Sequence, residues 1–186
     1  MAQNAKNVGT AKPNKGGAVW FALATDNPVL PTNASDALTG FKAIGYVSDD
    51  GISSENTRES EDILAFGGDI IASPQTETGA SVTFTVAEYF SEAALELVYG
   101  ADHVQKDESG NVTGVSFNSA ELPRIVLVLE IVSGNKLVRT VYADAKVSET
   151  GELTREDGGI LSQEVTVKAV PDEDGNYFVE YHSPKA

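Results

Sequence analysis

The segment Arg124–Val132, with the sequence RIVLVLEIV, restricts the fold of this chain more than any other feature. An aliphatic, β-branched run of this length is typical of a strand that is buried on both faces. Ser133–Lys136 (SGNK) follows at once and leads into a second apolar segment, Leu137–Tyr142, which is the pattern of a β-hairpin. We therefore predict a sheet in which Arg124–Val132 is a central strand.

Further strand patterns lie on both sides of this hairpin. In Ser81–Val86, the residues Val82, Phe84 and Val86 alternate with Ser and Thr, as in a half-buried strand. Short strands are also predicted for Gly17–Ala24, Phe41–Ser48, Asp69–Ser73, Val112–Phe117, Ala145–Ser148, Ile160–Val170 and Tyr177–Tyr181. A long loop is predicted for Thr25–Gly40, because Pro28 and Pro31 interrupt it.

One segment, Ser91–Tyr99 (SEAALELVY), has the features of a helix. Ser91 is a favourable N-cap, and Gly100 suits the position after the last helical residue. An apolar stripe is predicted to face a sheet: Phe90, Ala94, Leu95 and Val98. The predicted fold class is mainly β, a β-sandwich or barrel of about nine strands with one flanking α-helix at about 91–99.

Charge is distributed unevenly along the 186 residues, with 13 Lys and Arg against 28 Asp and Glu, a net charge of −15. Residues 1–16 contain Lys6, Lys12 and Lys15 and no acid, which leaves 10 basic and 28 acidic residues in 17–186. We predict a flexible basic N-terminal arm over 1–16 and a single β domain over 17–186. The acidic body repels nucleic acid, and solubility alone would explain its charge; the alternative is a clasp between subunits, with the arm on an acidic neighbour.

Residues that carry catalysis are sparse. The sequence has no Cys, two separated histidines (His103 and His182), no G-x-S-x-G motif and no glycine-rich phosphate loop. A glycosidase-type pair of carboxylates is compatible with so acidic a chain, but the sequence has no cluster of aromatic residues that would bind a sugar. We therefore predict a protein that is not an enzyme and has no cofactor. No apolar run approaches a membrane span, and residues 1–15 lack the apolar stretch of a signal peptide, so we expect cytoplasmic synthesis.

The turn Asp172–Asn176 is a weak candidate for a metal site. Asp172, Asp174 and Asn176 have the 1, 3, 5 oxygen spacing of calcium loops. Gly175 falls at the fourth position, however, and no Glu stands at the twelfth, so a hairpin turn closed by Tyr177–Tyr181 is the favoured interpretation. Asp49–Gly51 is likewise predicted to be a turn.

The order of these segments, with two short motifs, resembles a known family. Gly45–Ile52 (GYVSDDGI) ends an early strand, and Ala65–Asp69 (AFGGD) follows a polar segment and the apolar pair Ile63 and Leu64. The alternating strand, the helix ending in LELVYG and a strand-rich second half complete the order. Over about residues 17–182 the chain is similar to the major tail protein, or tail tube protein, of long-tailed bacteriophages.

This resemblance implies a subunit that assembles with itself into stacked, hexameric rings around a tape-measure protein, forming a conduit for DNA delivery. It also implies tail terminator and distal tail proteins as partners, no catalytic residues, DNA that passes without specific binding, and a place in the virion tail after assembly in the host cytoplasm. Arms and long loops join rings in such a family. The candidate segments here are the arm 1–16, the loop 25–40 and the polar segment 49–62. The candidate residues for self-association are Lys6, Lys12, Lys15, Asp49, Asp50 and Glu59.

Two other functions are left open by the sequence. The chain fits another virion β-protein, such as a tail-end, head-decoration or tail-fibre module, and it fits an extracellular binding module. A tube from a phage-like bacteriocin or a gene-transfer particle would have the same sequence features. Neither a secretion signal nor an aromatic binding face favours the extracellular module.

Overall fold

The computed structural model describes residue 4 and residues 8–184, and the fold is mainly β with one α-helix, as predicted. The helix α1 spans Glu92–Tyr99. The strands are β1 Lys12–Pro13, β2 Val19–Leu23, β3 Lys42–Ala43, β4 Val47–Ser60, β5 Ile63–Leu64, β6 Ile70–Ala72, β7 Gln75–Val86, β8 Val104–Lys106, β9 Val112–Val115, β10 Ile125–Ser133, β11 Lys136–Thr154, β12 Ser162–Ala169 and β13 Val179–Pro184. Among the described residues, no helix is long and apolar enough to span a bilayer.

Nine strands form one antiparallel sheet, in the order β3-β2-β10-β11-β12-β7-β4, with β1 beside β10 and β13 beside β11. The pairs β5–β6 and β8–β9 are separate two-stranded ribbons. Within the described residues the sheet does not close into a barrel, because β3 and β4 stand at its two ends without pairing to each other. The prediction of a mainly β fold is confirmed, and its barrel form is not.

The central hairpin is confirmed as the middle of the sheet. Ser133 pairs with Lys136 across the turn, and every residue from Ile125 to Glu130 is buried. The sequence predicts two strands after the turn, whereas β11 continues without a break from Lys136 to Thr154. Its first half lies between β10 and β13, and its second half pairs with β12.

Helix α1 covers one face of the sheet, as predicted. Ala94, Leu97 and Val98 belong to the large core. The prediction that Phe90 faces the sheet was wrong, since its side chain is 81% exposed. The physical reason is that Phe90 precedes the N-cap residue Ser91, whose backbone is extended, so helical spacing does not apply to it.

The predicted loop covers the opposite face of the sheet. Leu38, near its end, and Phe41, which directly follows it, pack on Val126, Val128 and Val141 in a second, smaller core. Residues 125–129 of β10 therefore bury alternate side chains in two different cores, which explains why the strand is apolar throughout.

Asp36 shapes this loop. Its Oδ2 accepts the backbone N–H of Thr32 at 2.8 Å, and its Oδ1 accepts Nδ2–H of Asn33 at 2.6 Å. The Thr32 N–H bond is the main cause that holds the pKa of Asp36 below its ordinary value. The loop is therefore a constrained layer on the sheet.

Two predicted turns are corrected. Asp49–Gly51 lies inside β4, where Val47 faces Val86 and Ile52 faces Phe84, so the segment is an extended bulge, with Gly51 at φ 81°. Asp172–Asn176 is a turn but not a hairpin turn, since β12 and β13 pair with different parts of β11 and not with each other.

A buried acid, Glu96, anchors helix α1. It is 6% exposed, and its carboxylate accepts hydrogen bonds from Lys106 Nζ at 3.0 Å and from Lys42 Nζ. Burial raises the pKa of Glu96, but the two lysines lower it by more, so the pKa in the folded protein is below its ordinary value of 4.5.

We expect Glu96→Gln to reduce the loss of stability at acid pH. A depressed carboxyl pKa stabilises the fold above the unfolded-state pKa, and this contribution disappears as pH falls from there through the folded-state pKa. Urea unfolding of both proteins at about pH 7 and about pH 3.5 measures the difference. An equal fall in the free energy of unfolding for both proteins would contradict the role of Glu96.

Candidate assembly surfaces

The basic N-terminal arm lies against the sheet in the part that the structure describes. Lys12 and Pro13 pair with Val132 and Ile131 at the end of β10. The side chains of Lys12 and Lys15 are exposed, and neither forms an ion pair with another described residue. Lys6 lies outside the described residues. Two of the three predicted arm lysines are thus presented at the surface.

The hairpin of β4 and β7 projects beyond the sheet. β12 accompanies β7 only over Ser81–Val86, while β4 and β7 remain paired as far as Ser60 and Gln75. Residues 57–79, called here the hairpin arm, are mostly exposed and have no third strand beside them among the described residues. An isolated two-stranded ribbon is marginally stable in water, so the hairpin arm is a candidate for contact with a partner.

The three predicted acidic candidates lie on this hairpin. Asp49 and Asp50 are exposed in the bulge at its base. Glu59 lies further out and is paired directly with Glu77. Like charges in directly opposed positions repel, so a cationic side chain from another molecule would stabilise the pair of Glu59 and Glu77.

The end of the hairpin arm is apolar. Its large side chains, between 49% and 111% exposed, are those of Ile63, Leu64, Phe66, Ile70 and Ile71, a set called here the apolar tip. Acidic residues Glu61, Asp62 and Asp69 adjoin it and are exposed. Contiguous exposed apolar residues with a polar rim are typical of protein–protein contact sites.

A surface pocket of about 400 Å³ lies beneath the N-terminal arm. Lys12 and Lys15 are among its lining residues. Apolar side chains on its walls are those of Pro13, Val47, Ile52 and Ile131. Glu88 also lines it, and its carboxylate accepts the Tyr46 backbone N–H at 3.0 Å. The pocket therefore combines an apolar wall with two lysines, whereas the apolar tip combines apolar side chains with acidic residues. The two surfaces are complementary in charge.

The sheet presents two open edges. β4 has β7 on one side and no strand on the other among the described residues, and β3 extends over only Trp20 and Phe21 of β2. Open edges offer unpaired N–H and C=O groups to a strand of another molecule. Because the two edges differ, a contact between them is heterologous, which produces rings or filaments.

The weak metal candidates act as turn residues in this structure. Asp172 Oδ1 accepts the backbone N–H groups of Asp174 at 3.0 Å and Asn176 at 2.7 Å. Within residue 4 and residues 8–184, no group of three or more His, Asp or Glu residues is arranged to hold a metal ion. The turn Asp107–Asn111 has the same hydrogen bonds, so this sequence pattern encodes a loop conformation.

Two features of these surfaces were missed by sequence reasoning. The exposure of the apolar tip could have been inferred from the sequence. The segments 53–60 and 74–79 on either side of it are polar, so the two strands that lead to the tip have no apolar face to pack on the core. The pocket had no such signal, since its lining residues 11–18, 45–48, 51–52, 88 and 131 are distant in sequence and come together only in the folded chain.

Comparison with known proteins assigns the chain to a family. The family model described as "Phage tail tube protein" matches residues 1–184. No curated protein matches the sequence. Among solved structures, the anti-feeding prophage cap (AFP tube terminating cap) is 10% identical and has a TM-score of 0.44, with 98% of this chain and 100% of that chain covered.

A second cryo-EM structure, the sheath/tube terminator of the extracellular contractile injection system PVC, is 8% identical with a TM-score of 0.39 and covers 91% of this chain and 96% of that one. The PVC sheath-tube complex in the extended state is 9% identical and has a TM-score of 0.37, with 92% of this chain and 93% of that chain covered. All three scores are below 0.5, so the assignment rests on the family model.

Proposed function

This chain belongs to the phage tail tube protein family, and we propose that it is a structural subunit that assembles with copies of itself into stacked, hexameric rings. The rings form the tube through which DNA is delivered. The observation that supports this proposal is the projecting hairpin arm, which has no third strand beside it within the described part of the chain and ends in the exposed apolar tip.

The two open sheet edges support ring formation. In the proposed ring, the β4 edge of one subunit pairs with the β2–β3 edge of the next, and this heterologous contact closes. The sheets of the subunits then become one continuous surface, and no edge is left to pair with other proteins.

The apolar tip supports stacking of rings. We place the tip of one subunit in the pocket beneath the N-terminal arm of a subunit in the neighbouring ring. Phe66 and Ile71 would contact the apolar walls, and the acids beside the tip would face Lys12 and Lys15. Apolar contact supplies the affinity of such an interface, and opposite charges set its orientation.

The acidic body supports passage of DNA without binding. With 28 acidic against 13 basic residues, the assembled subunit lacks the excess of Lys and Arg that neutralises phosphates. We propose that the tube occupies the virion tail after assembly in the host cytoplasm, around a tape-measure protein and between terminator and distal tail proteins. The subunit has a structural and not a catalytic role.

Electron microscopy of the purified protein over a range of concentrations tests this function. We expect hollow tubes of uniform diameter, with six-fold symmetry in end views. A protein that stays monomeric at all concentrations and in the presence of preformed tails would overturn the proposal. Immunogold labelling along the whole tail separates a tube subunit from a tail-end or head-decoration protein.

The arm lysines are expected to contribute modestly to stacking. Exposed ion pairs are worth about 0–1 kcal/mol each, so the variant Lys12→Glu with Lys15→Glu should raise the critical concentration for tube formation by up to roughly thirtyfold. Its assembly should also depend less on salt than that of the wild type. The control carries Lys136→Glu and Lys168→Glu, which change the net charge equally outside the arm. An equal effect of both variants would assign the change to net charge.

A further inference from the structure

A buried ion pair connects the two segments that lie on the small-core face of the sheet. Glu130 of β10 and Arg139 of β11 are paired in register, and their residues are 4% and 3% exposed. Glu130 Oε1 accepts hydrogen bonds from Arg139 Nε at 3.0 Å and from Nη2. The pair continues the row of Val126 and Val128, where apolar side chains would also fit.

Each member of the pair holds one segment. On one side, Glu130 Oε2 accepts Nδ2–H of Asn14, which belongs to the N-terminal arm, at 2.9 Å. On the other side, Arg139 Nη1 donates to the backbone carbonyl of Asn33, in the loop over the small core, at 2.9 Å. The arm and the loop are therefore tied to one site, although 18 residues separate Asn14 from Asn33 in the chain.

Stability alone does not account for this pair. Removing two charges from water costs several kcal/mol, and apolar residues of similar volume are often as stable or more stable at such a site. What apolar residues cannot supply is a directed hydrogen bond to Asn14 on one side and to the Asn33 carbonyl on the other. The geometry thus favours a role in fixing the two segments.

We propose that Glu130 and Arg139 are positioning residues that hold the N-terminal arm and the loop in one fixed arrangement before assembly. The arm lines the pocket beneath it, so fixing the arm fixes the shape of the surface that receives a second copy of this chain. This last step rests on the proposed function, whereas the coupling of the two segments does not.

The test uses the full-length protein with Glu130→Leu and Arg139→Met, which removes both charges and keeps the volume similar. Hydrogen exchange by mass spectrometry should become roughly tenfold to a hundredfold faster in peptides covering residues 8–16 and 27–41, as expected for the loss of hydrogen bonds to charged groups. The thermal midpoint should stay close to that of the wild type. Tube formation should be slowed or lost.

Two matched variants make the test specific. Asn14→Ala should accelerate exchange in the arm and leave the loop as in the wild type, because it removes only the arm's bond. The variant Arg124→Met with Asp144→Leu removes an ion pair whose side chains form no hydrogen bond with either segment among the described residues, and both segments should exchange normally. Acceleration in this control equal to that in the double variant would overturn the proposal.

Failure of the positioning role and failure of the proposed function give different results. Unchanged exchange in both segments of the Glu130 and Arg139 variant overturns the coupling, whether or not tubes form. If the segments are released but tubes form at the normal rate, positioning for assembly is wrong. If the segments are released and the wild-type protein forms no tubes, the coupling stands and the proposed function fails.

Discussion

Replacing Phe66 and Ile71 by serine is expected to abolish tube formation while the subunit stays folded. Phe66 is fully exposed and Ile71 is 65% exposed, so neither contributes to the core of the isolated subunit. Burial of a large apolar side chain contributes about 1.5–3 kcal/mol. Loss of both side chains should weaken each contact between rings by about 3–6 kcal/mol, which lowers the association constant by roughly two to four orders of magnitude.

Sedimentation velocity and electron microscopy measure this effect, and thermal unfolding shows whether the variant is folded. The matched control is Phe90→Ser with Ile160→Ser, which removes the same residue types from exposed positions outside the apolar tip. The control is expected to form tubes. If it loses them as fully as the tip variant, or if the tip variant assembles normally, the apolar tip is not a stacking contact.

Local patterns were sufficient for the elements that bury their own side chains. The run Arg124–Val132, the SGNK turn and the helix from 92 to 99 each specify a conformation through neighbouring residues, and each is found where predicted. The exact ends of the strands could not be predicted from such local patterns. β11 is continuous because its neighbours change from β10 and β13 to β12 along its length, a property of the assembled sheet.

Turn patterns were ambiguous for a physical reason. Asp49–Gly51 contains the residues of a turn, but glycine with positive φ also suits a bulge, and only the pairing of Val47 and Ile52 with β7 distinguishes the two. Asp172–Asn176 forms its predicted turn, but the strand that follows it, β13, pairs with the first half of β11 and not with β12. Sequence patterns specify the turn and leave the pairing open.

The candidate surfaces show a similar division. The lysines of the arm and the acids of the hairpin could be named from charge, and Lys12, Lys15, Asp49, Asp50 and Glu59 are all exposed. Exposure of the apolar tip was not predicted, because an apolar run indicates burial without saying whether a partner molecule provides it. The buried charge of Glu96 was also missed, since its partners Lys42 and Lys106 lie on the separate strands β3 and β8, and only folding brings them to the helix.

A single substitution at the buried ion pair is expected to be far more damaging than the double one. Arg139→Met leaves the Glu130 carboxylate almost inaccessible to water with only the Asn14 amide as a side-chain donor, and breaking a buried pair in this way costs about 3–5 kcal/mol. Adding Glu130→Leu removes the unpaired charge and should restore most of the free energy of unfolding.

Urea unfolding of the wild type, both single variants and the double variant completes a thermodynamic cycle. The Asn33 carbonyl belongs to an exposed residue and Asn14 is only half-buried, so water can replace the hydrogen bonds that the double variant loses. We therefore expect the double variant within about 2 kcal/mol of the wild type. A double variant as unstable as Arg139→Met alone would mean that the pair is needed for folding itself, and a stable one that cannot form tubes would separate positioning from stability.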